Sequence, residues 1–460
     1  VDFDLEDILS GEDYKEIYQT IIDDIKQNFD KWKIQPEGIL TVVKHNSGKK
    51  HYKEGFDKDK WEEIEKLLDL KSKIKQGIEI LVFDDVKKHI SKDHDFIAVL
   101  SGLSIQLYRM NKKSCEMING QHGINIERRT FAPFIFLGFN SISSATSHDP
   151  CFKLRKRILI SSIKNNIERL HQVSHQEVTN LIKKYKLKSN LNILEILNEY
   201  VENVTSEFMW GYNIISKYHI DFSDKDYKLK NLSIIQALNQ ALHDVYTYKY
   251  SNLLYIPITK ESRRILNNIA QIRKSFKEMT RDLIDNFSGK SLIKDMVDKN
   301  FQLEEKLYDD IIITTSSGLN IVKLMIMSII WHLYEEKNRK WRNILYDEVK
   351  ILNKDGFDYT KLASLSNFNA FISEVIRYES SFSFLNNYTI KDFEMVIGEK
   401  VYKFKKGTYI TSNVYAIHHK KDSLLKFDPS RFLNKNDDLC FIPFGIGGRS
   451  CPGKLIGLSM

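Results

Sequence analysis

The chain has 460 residues, of which 42% are apolar, and it contains only 7 Pro and 20 Gly. This composition excludes an intrinsically disordered protein and provides enough apolar side chains for a large core. Lys and Arg exceed Asp and Glu by 8. The basic residues are dispersed among many acids and no nucleic-acid-binding motif accompanies them, so we predict no nucleic-acid partner.

The chain contains four cysteines, and none has the spacing of a zinc site, which indicates a reducing compartment. We find no signal peptide and no uninterrupted apolar run of about 18 residues, so the sequence predicts no membrane-spanning helix. We therefore expect a protein on the cytoplasmic side, either soluble or anchored to a membrane by a segment upstream of Val1.

The N-terminal part of the chain is highly charged. Residues 1–75 show helical periodicity, interrupted at 38–55 by β-branched residues around an Asn-Ser-Gly turn, which predicts a hairpin. A strand or a buried segment is predicted at 77–83. From Cys151 onward the apolar residues recur with helical spacing, which predicts several long helices between 150 and 285.

The C-terminal third continues with helices and ends with strands. Three helices are predicted, at about Leu303–Glu335, Trp341–Leu352 and Tyr359–Glu379. After Ser380 the chain contains short β-branched and aromatic runs around a Lys-Gly-Thr turn, which predict strands. The order of elements predicts a mainly α fold with small β-sheets, an α+β fold. We expect a single domain, 1–460, with a small sheet in 1–140 and a helical core in 141–460.

A carboxylate and a guanidinium lie three residues apart in the predicted helix that contains "FISEVIRY". Glu374 and Arg377 share one face of that helix and can pair. Most such pairs are exposed surface bridges, but apolar residues flank this one, so we predict a partly buried pair. A buried pair needs further hydrogen bonds. Arg431 in "FDPSRFL" is the candidate donor, and the alternative is an ordinary exposed loop arginine.

The stretch "PFGIGGRSCPG" at 443–453 places one cysteine in a glycine-rich loop before a predicted helix. A dinucleotide-binding loop would need a preceding strand, a βαβ unit and an acid about 20 residues later, and the chain ends before that. A loop that presents a thiolate explains more of the pattern. A helix N-terminus lowers the pKa of a nearby thiol, and glycines allow the backbone to pass close to a flat ligand. Such a site suits a thiolate ligand of haem iron.

The pattern F-x-x-G-x-R-x-C-x-G, preceded by an E-x-x-R helix and a P-x-R-F segment, resembles the cytochrome P450 family. The resemblance implies the cytochrome P450 fold, with haem b (iron protoporphyrin IX) between a long distal helix and the proximal cysteine loop. It implies the following positions: Cys451 as the axial iron ligand, Phe444 packed beside it, Gly447 and Gly453 as glycines of the loop, Arg449 on a haem propionate, and Glu374, Arg377 and Arg431 as a structural triad.

Two weaker matches extend the resemblance upstream, so that it covers 141–460. The segment 141–159 is similar to the start of a family helix in which an arginine binds a propionate, and that position falls on Arg155. An aromatic residue or His four positions earlier is replaced by Cys151, which departs from the family pattern. The alternative interpretation of this segment is a basic surface helix.

The predicted distal helix contains "TTSSGLN" where oxygen-splitting members of the family carry an acid and a threonine. One alignment puts the alcohol at Thr314 and replaces the acid by Ile313. The other, which keeps the downstream spacing better, puts Asn320 at the threonine position. Both are candidate catalytic residues that position protons or oxygen. The alternative is that these are small polar residues on a packed helix.

The resemblance implies a haem-thiolate monooxygenase that hydroxylates a small apolar substrate, lipid- or sterol-like, with O₂. Its electrons are expected from a separate reductase or ferredoxin, because the chain has no flavin or iron–sulfur motif. Weak similarity to the sterol 7-hydroxylase and prostacyclin synthase branch keeps a hydroperoxide isomerase, dehydratase or peroxygenase as an alternative. A non-catalytic haem-binding or gas-sensing protein is the alternative from another class.

Overall fold

The computed structural model describes residues 80–82, 96–101, 104–109, 116–118, 120–128, 136–186, 191–222, 230–247, 259–299, 305–352, 359–380, 384–397, 400–419, 425–433 and 441–460. The helices and the hairpin predicted for residues 1–75 lie outside these ranges. Of the segment predicted as a strand at 77–83, the part Ile80–Val82 is a strand.

Helices account for most of the described chain. They are α1 (Phe152–Asn165), α2 (Ile167–Tyr185), α3 (Ile193–Thr205), α4 (Ile214–Lys217), α5 (Ile234–Thr247), α6 (Lys260–Asn286), α7 (Leu292–Lys299), α8 (Glu305–Tyr334), α9 (Arg339–Leu352), α10 (Ser366–Glu379), α11 (Val414–His418) and α12 (Lys454–Ser459). A π-helical turn, Ser206–Trp210, follows α3 directly.

The strands form three small sheets. They are β1 (Ile80–Val82), β2 (Phe96–Ser101), β3 (Ser104–Arg109), β4 (Ile126–Arg128), β5 (His219–Ile220), β6 (Leu232–Ser233), β7 (Phe384–Thr389), β8 (Phe393–Ile397), β9 (Lys400–Phe404) and β10 (Tyr409–Asn413). One sheet has the strand order β1-β2-β3-β10-β7-β4, and β5–β6 and β8–β9 are antiparallel pairs. In the large sheet, β10 pairs in parallel with β3 and antiparallel with β7. The predicted mainly α fold with small β-sheets is confirmed.

The chain divides into two compact units. Unit 1 comprises Val1–Gly11, Thr130–Ile372 and Cys451–Met460, and unit 2 comprises Glu12–Arg129 and Ser373–Ser450. Unit 1 contains α1 to α9 and α12, whereas unit 2 contains the six-stranded sheet, the β8–β9 pair and α11. Helix α10 begins in unit 1 and ends in unit 2. The single domain expected from the sequence stays a prediction.

Side-chain caps set the starts of two long helices in unit 1. Asn192 accepts the backbone N–H groups of Leu194 and Glu195 at the start of α3. Thr259 and Ser262 form a reciprocal capping box at the start of α6. These bonds satisfy backbone donors that the first helical turn leaves without a partner, and each cap stabilises a helix by about 1 kcal/mol.

Helix α8 is the central helix of unit 1 and packs against α3 and α6. By length and composition alone, its segment Lys306–Tyr334 could cross a membrane. It carries two buried carboxylates, however, and each is paired with an arginine of the same unit: Asp309 with Arg273, and Asp310 with Arg155. Because charges buried in this way are stabilised by specific protein partners, we interpret α8 as the core helix of unit 1.

The segment that precedes α1 is held against α8 by a hydrogen bond and a close backbone contact, which we call the clamp. The backbone N–H of Asn140 donates to Asp309 Oδ2 over 2.7 Å. Gly138 lies so close to α8 that an added Cβ would come within 2.6 Å of Ile313 Cγ1 and within 3.0 Å of the Asp309 carbonyl oxygen. This contact leaves no room for a side chain at position 138.

The predicted C-terminal helices are confirmed with one difference. The helix predicted at Tyr359–Glu379 is a 3-10 turn at Tyr359–Ser364 followed by α10. The break is caused by a residue of another helix, since the Glu348 carboxylate of α9 accepts the N–H groups of Asn367 and Phe368 and thereby caps a new helix start.

The substitution Gly138→Ala tests the clamp on α8. We expect it to destabilise the protein by about 1–3 kcal/mol, because Ile313 or the α8 backbone must shift to admit the methyl group. Urea unfolding of wild type and variant measures the difference. Gly120→Ala is the matched control, since a Cβ there meets no atom within 4 Å. Equal losses for both variants would contradict the clamp.

Candidate functional site

Glu374 on α10 lies at the centre of an ion cluster in the interior of unit 2. Arg377 Nε and Nη2 donate to its two carboxylate oxygens over 2.7 and 2.8 Å, and Arg431 Nε donates to Oε1 over 3.1 Å. The backbone N–H of Asp428 adds a bond of 2.8 Å. The side chains of Glu374 and Arg377 are both 0% exposed. Charge-assisted bonds of this number offset the desolvation of the buried charges. The structure thus brings the three predicted triad residues together.

His418 connects this cluster to the start of the cysteine loop, and we call Glu374, Arg377, Arg431 and His418 the Glu374 cluster. The backbone N–H of Ile442 donates to His418 Nε2 over 3.0 Å, so Nε2 carries no proton. Nδ1 therefore carries the proton and donates to the Arg377 carbonyl oxygen over 3.2 Å. Burial lowers the pKa of His418 to about 3, which keeps the ring neutral.

The loop at 443–453 has the backbone that its glycines predict. Gly445 and Gly447 have φ angles of +72° and +70°, a region that other residues rarely adopt. A 3-10 turn at Gly447–Arg449 follows, and Gly453 is the N-cap of α12. A Cβ added at Gly447 or Gly448 would meet no atom within 4 Å, so the backbone is open there. Cys451 is exposed and is not in a disulfide.

Arg449 lies in this loop with its side chain buried in unit 2. Its Nη2 lies 3.7 Å from Glu127 Oε2 of β4, and the two side chains are 6% and 2% exposed. Burial lowers the pKa of Arg449 to about 10, so the guanidinium remains charged near neutral pH. The structure therefore adds a carboxylate neighbour that sequence analysis did not identify, and the propionate contact of Arg449 stays a prediction.

Arg155 of α1 is buried in unit 1 and is bound to α8. Its Nε and Nη2 donate to the carboxylate oxygens of Asp310 over 2.8 and 2.7 Å, and Nη2 also donates to the carbonyl oxygen of Asn140. Its Nη1 lies 3.5 Å from Asp149 Oδ2. The propionate contact expected for Arg155 stays a prediction, and the acids that hold this guanidinium were not foreseen.

Asp309 and Asp310 of α8 anchor two other helices of unit 1. Asp310 accepts the Ile142 N–H over 2.6 Å as well as the Arg155 bonds. Burial raises the pKa of Asp310 to about 6, although Arg155 acts in the opposite direction. Asp309 lies 2.6 Å from Arg273 of α6. This pair of carboxylates therefore ties α1 and α6 to α8.

The two candidate catalytic residues of α8, Thr314 and Asn320, lie on different sides of the helix. They are six residues apart, which at 3.6 residues per turn separates them by about 120° around the helix axis. Both are half-buried. Asn320 Nδ2 donates to Asn239 Oδ1 of α5 over 2.9 Å. The Asn320 side of α8 is thus the side that contacts α5.

Comparison with known families gives a match over most of the chain. The family model for cytochrome P450 matches residues 112–460. A solved cytochrome P450 structure, CYP102L1, has a TM-score of 0.65 and 15% sequence identity, and the match covers 82% of this chain and 88% of that one. At this identity the structural likeness shows the fold alone, which agrees with the predicted P450 fold.

Curated relatives match this chain over part of their length. A probable cytochrome P450 513D1 of Dictyostelium discoideum is 22% identical over 323 residues, covering 62% of this chain and 57% of the relative. An abscisic acid 8'-hydroxylase, CYP707A1, of Solanum lycopersicum is 25% identical over 272 residues, covering 56% and 54%. The chain therefore spans a little over half the length of these relatives.

The family and its fold bind haem b, and the donor set of this chain fits that cofactor. The exposed thiol of Cys451 is a suitable thiolate ligand for iron, and the open backbone at Gly447 and Gly448 admits a flat ring. The guanidinium group of Arg449 is a suitable partner for a propionate, whereas that of Arg155 is already bound to Asp310. The roles of Cys451 as iron ligand and of Phe444 as its neighbour stay predictions.

Four residues that shape these surroundings were not identified from the sequence: Glu127, Asn239, Asp310 and His418. His418 is the first histidine of the pair in "YAIHHKKD". Its hydrogen bond to Ile442 spans 24 residues, and that of Asn239 to Asn320 spans 81. No local pattern marks such long-range partners, so sequence reasoning had no signal for them.

Removing the carboxylate of Glu374 tests the buried cluster. We expect Glu374→Ala to cost about 3–5 kcal/mol of stability, because Arg377 is left charged and buried without a counter-charge. Urea unfolding gives the difference. Glu336→Ala is the matched control, since its ion pair with Arg339 is exposed, and it should change stability by less than about 0.5 kcal/mol. A loss for Glu374→Ala as small as that of the control would show that the cluster is dispensable.

His418 makes stability depend on pH with a defined sign. An unfolded histidine titrates near pH 6.5, and the folded pKa is about 3, so only the unfolded state takes up a proton between those values. Stability should therefore fall as the pH drops below about 6.5, by about 1.4 kcal/mol per pH unit for this group. Urea unfolding between about pH 7 and pH 5 should show a shallower slope for His418→Gln than for wild type. Identical slopes would contradict the assignment of a neutral, buried ring, and His243→Gln, an exposed histidine of α5, serves as the control.

Proposed function

Because this chain belongs to the cytochrome P450 family, we propose that it is a haem-thiolate monooxygenase that hydroxylates a small apolar substrate. The observation that carries the proposal is the complete F-x-x-G-x-R-x-C-x-G loop, in which Cys451 is exposed at the end of an open glycine backbone. The name of one relative, abscisic acid 8'-hydroxylase, supports hydroxylation as the reaction type.

In this proposal each residue near the cofactor has one task. Cys451 supplies the thiolate, and haem bound to it supplies the chemistry of dioxygen activation and O–O cleavage. Arg449 offsets propionate charge. Arg155, the other arginine predicted for this task, is already bound to Asp310. The Glu374 cluster holds the backbone of Ile442 at the start of the loop through His418. Asn320 offers an amide that orients an oxygen-bearing group by hydrogen bonds.

The substrate is proposed to be lipid- or sterol-like. On the Asn320 side of α8, the apolar residues Ile313, Leu324 and Met327 lie together with Ser316, Ser317 and Lys323. Apolar walls with a small number of polar groups are typical of pockets for such molecules.

The electrons are proposed to come from a separate reductase or ferredoxin with an acidic surface. Helix α1 carries Lys153, Lys156, Arg157 and Lys164 besides the buried Arg155, and it contains no acidic residue. Lys153 and Arg157 are exposed. A cationic helix face favours docking of an anionic partner and speeds association at low salt. The scarcity of cysteine supports a reducing compartment, and we place the protein on the cytoplasmic side.

A second candidate function on the same fold is a hydroperoxide isomerase, dehydratase or peroxygenase. One observation favours it: Leu319 precedes Asn320 and Ile313 precedes Thr314, so neither alignment of α8 provides an acid next to the alcohol or amide. Such enzymes act on a peroxide and need no electron supply. The two functions are separated by whether product formation requires O₂ and a reductant or only a hydroperoxide.

The ligand assignment predicts a specific spectral change. Wild type, reduced and treated with carbon monoxide, should show the long-wavelength Soret band of thiolate-ligated haem, and Cys451→Ser should lose it because a hydroxyl is a weak iron ligand. Cys151→Ser, which changes the half-buried cysteine before α1, should keep the band. A Cys451→Ser variant with the wild-type band would overturn the assignment.

The same proteins separate the functions. Product formed from a panel of lipids and sterols only with O₂, a reductase and NADPH supports the monooxygenase. Product formed from a lipid hydroperoxide alone, without reductant, supports the second candidate. A thiolate band without product on either route would leave a non-catalytic haem protein.

A further inference from the structure

We propose that Asn239 of α5 is a positioning residue that holds the side-chain amide of Asn320 in one orientation on α8. The observation is the hydrogen bond from Asn320 Nδ2 to Asn239 Oδ1, 2.9 Å long, which joins residues 81 positions apart. Both side chains are half-buried. The inference rests on the proposed function, because it concerns how Asn320 is presented to the ligand of that site.

The hydrogen bond restricts what Asn320 can offer. A primary amide has two N–H donors and a carbonyl acceptor. One N–H of Asn320 is used by Asn239, which leaves the other N–H and Oδ1 for a second partner. A group that donates and accepts at once, such as water, an alcohol or a hydroperoxide, matches this remaining set. Without the Asn239 acceptor, the amide could rotate and present either end.

Asn239 is held independently of Asn320. One turn further along α5, Asp244 pairs with Arg264 of α6 over 3.0 Å and accepts a bond of 2.7 Å from Gln240. Asp244 is 7% exposed. Helix α5 is therefore bound to α6 through the Asp244–Arg264 ion pair and to α8 through Asn239. The ion pair with α6 holds the helix that carries the acceptor at position 239.

The backbone of α8 is also fixed close to Asn320. Two residues earlier, Gly318 lies against the π-helical turn, and a Cβ added there would be 3.3 Å from Met209 Cε. Further towards the N-terminus of α8, Asp309 is paired with Arg273 of α6. Because the backbones on both sides are fixed, the remaining freedom at this contact is the rotation of the two amides, and their mutual hydrogen bond removes it.

The contact also distinguishes the two candidate residues of α8. Thr314 lies about 120° away around the helix, so α5 cannot position both in the same way. A positioning role of Asn239 therefore predicts effects that depend on Asn320 and not on Thr314. A double-variant comparison tests this dependence directly, because residues that act as one unit give non-additive effects.

The experiment uses the full-length haem protein with carbon monoxide as the probe. The infrared C–O stretching frequency of the reduced complex senses polar groups next to the bound gas. We expect Asn239→Leu and Asn320→Leu to shift or broaden this band, and the double variant to match Asn320→Leu. Asn239→Asp retains an acceptor oxygen for the Asn320 amide, so its band should be sharper and closer to the wild-type band than that of Asn239→Leu. His243→Leu, an exposed position one turn along α5, should leave it unchanged.

The fraction of consumed electrons that is recovered in product provides a second readout, which a merely structural role would not change. With O₂ and reductase, Asn239→Leu should lower the fraction of electrons recovered in product severalfold. The remaining electrons would reduce O₂ to hydrogen peroxide or water. Asn239→Asp should recover most of that fraction. If Asn239→Leu does not fold, Asn239→Ala removes the same acceptor with less steric change and takes its place.

The outcomes separate the inference from the proposed function. The positioning role would be overturned if Asn239→Leu and Asn239→Ala both kept the wild-type C–O band and the wild-type fraction of electrons recovered in product. An equal effect of Asn239→Leu in the presence and absence of Asn320 would also overturn it, because the role must act through that amide. A wild-type protein without the thiolate-type band would instead refute the proposed function, whatever the variants show.

Discussion

The carboxylate of Glu374 has no access to water, and its position is tolerable only because donors surround it. Two guanidinium groups and one backbone N–H reach it from a helix, a 3-10 turn and a loop. Since a buried charge that loses its partner costs several kcal/mol, these segments of unit 2 must assemble together. Through His418 the same cluster reaches Ile442, so the beginning of the cysteine loop is held by a charge-driven requirement rather than by apolar packing alone.

Unit 1 solves a similar problem on its central helix. Asp309 and Asp310 are adjacent, buried and matched by arginines from α6 and α1. Adjacent residues of a helix point in different directions, so one pair of acids can secure two neighbouring helices. Both units therefore use paired charges at the positions where several segments converge, and apolar residues fill the space between them.

The features that sequence analysis could predict are those encoded locally. Helical spacing located α8 and α9, and the i, i+3 spacing of Glu374 and Arg377 predicted their pairing. The glycine pattern identified the loop that contains Cys451. The prediction of one continuous helix at Tyr359–Glu379 was wrong. The helix is split because the Glu348 carboxylate, which belongs to another helix, caps a new start at Asn367. The acceptors of Arg155 and the partner of Asn320 were likewise supplied by distant segments.

A neutral His418 has an electrical consequence for the interior of unit 2. The cluster sums one negative carboxylate, two positive guanidiniums and an uncharged ring, which gives one positive charge. Because burial lowers the pKa of His418 to about 3, the ring adds no charge to this interior near neutral pH. Asp310, whose pKa burial raises to about 6, belongs to unit 1. Acidification towards pH 6 therefore protonates Asp310 and weakens its pairing with Arg155 on α8, whereas the His418 ring stays neutral.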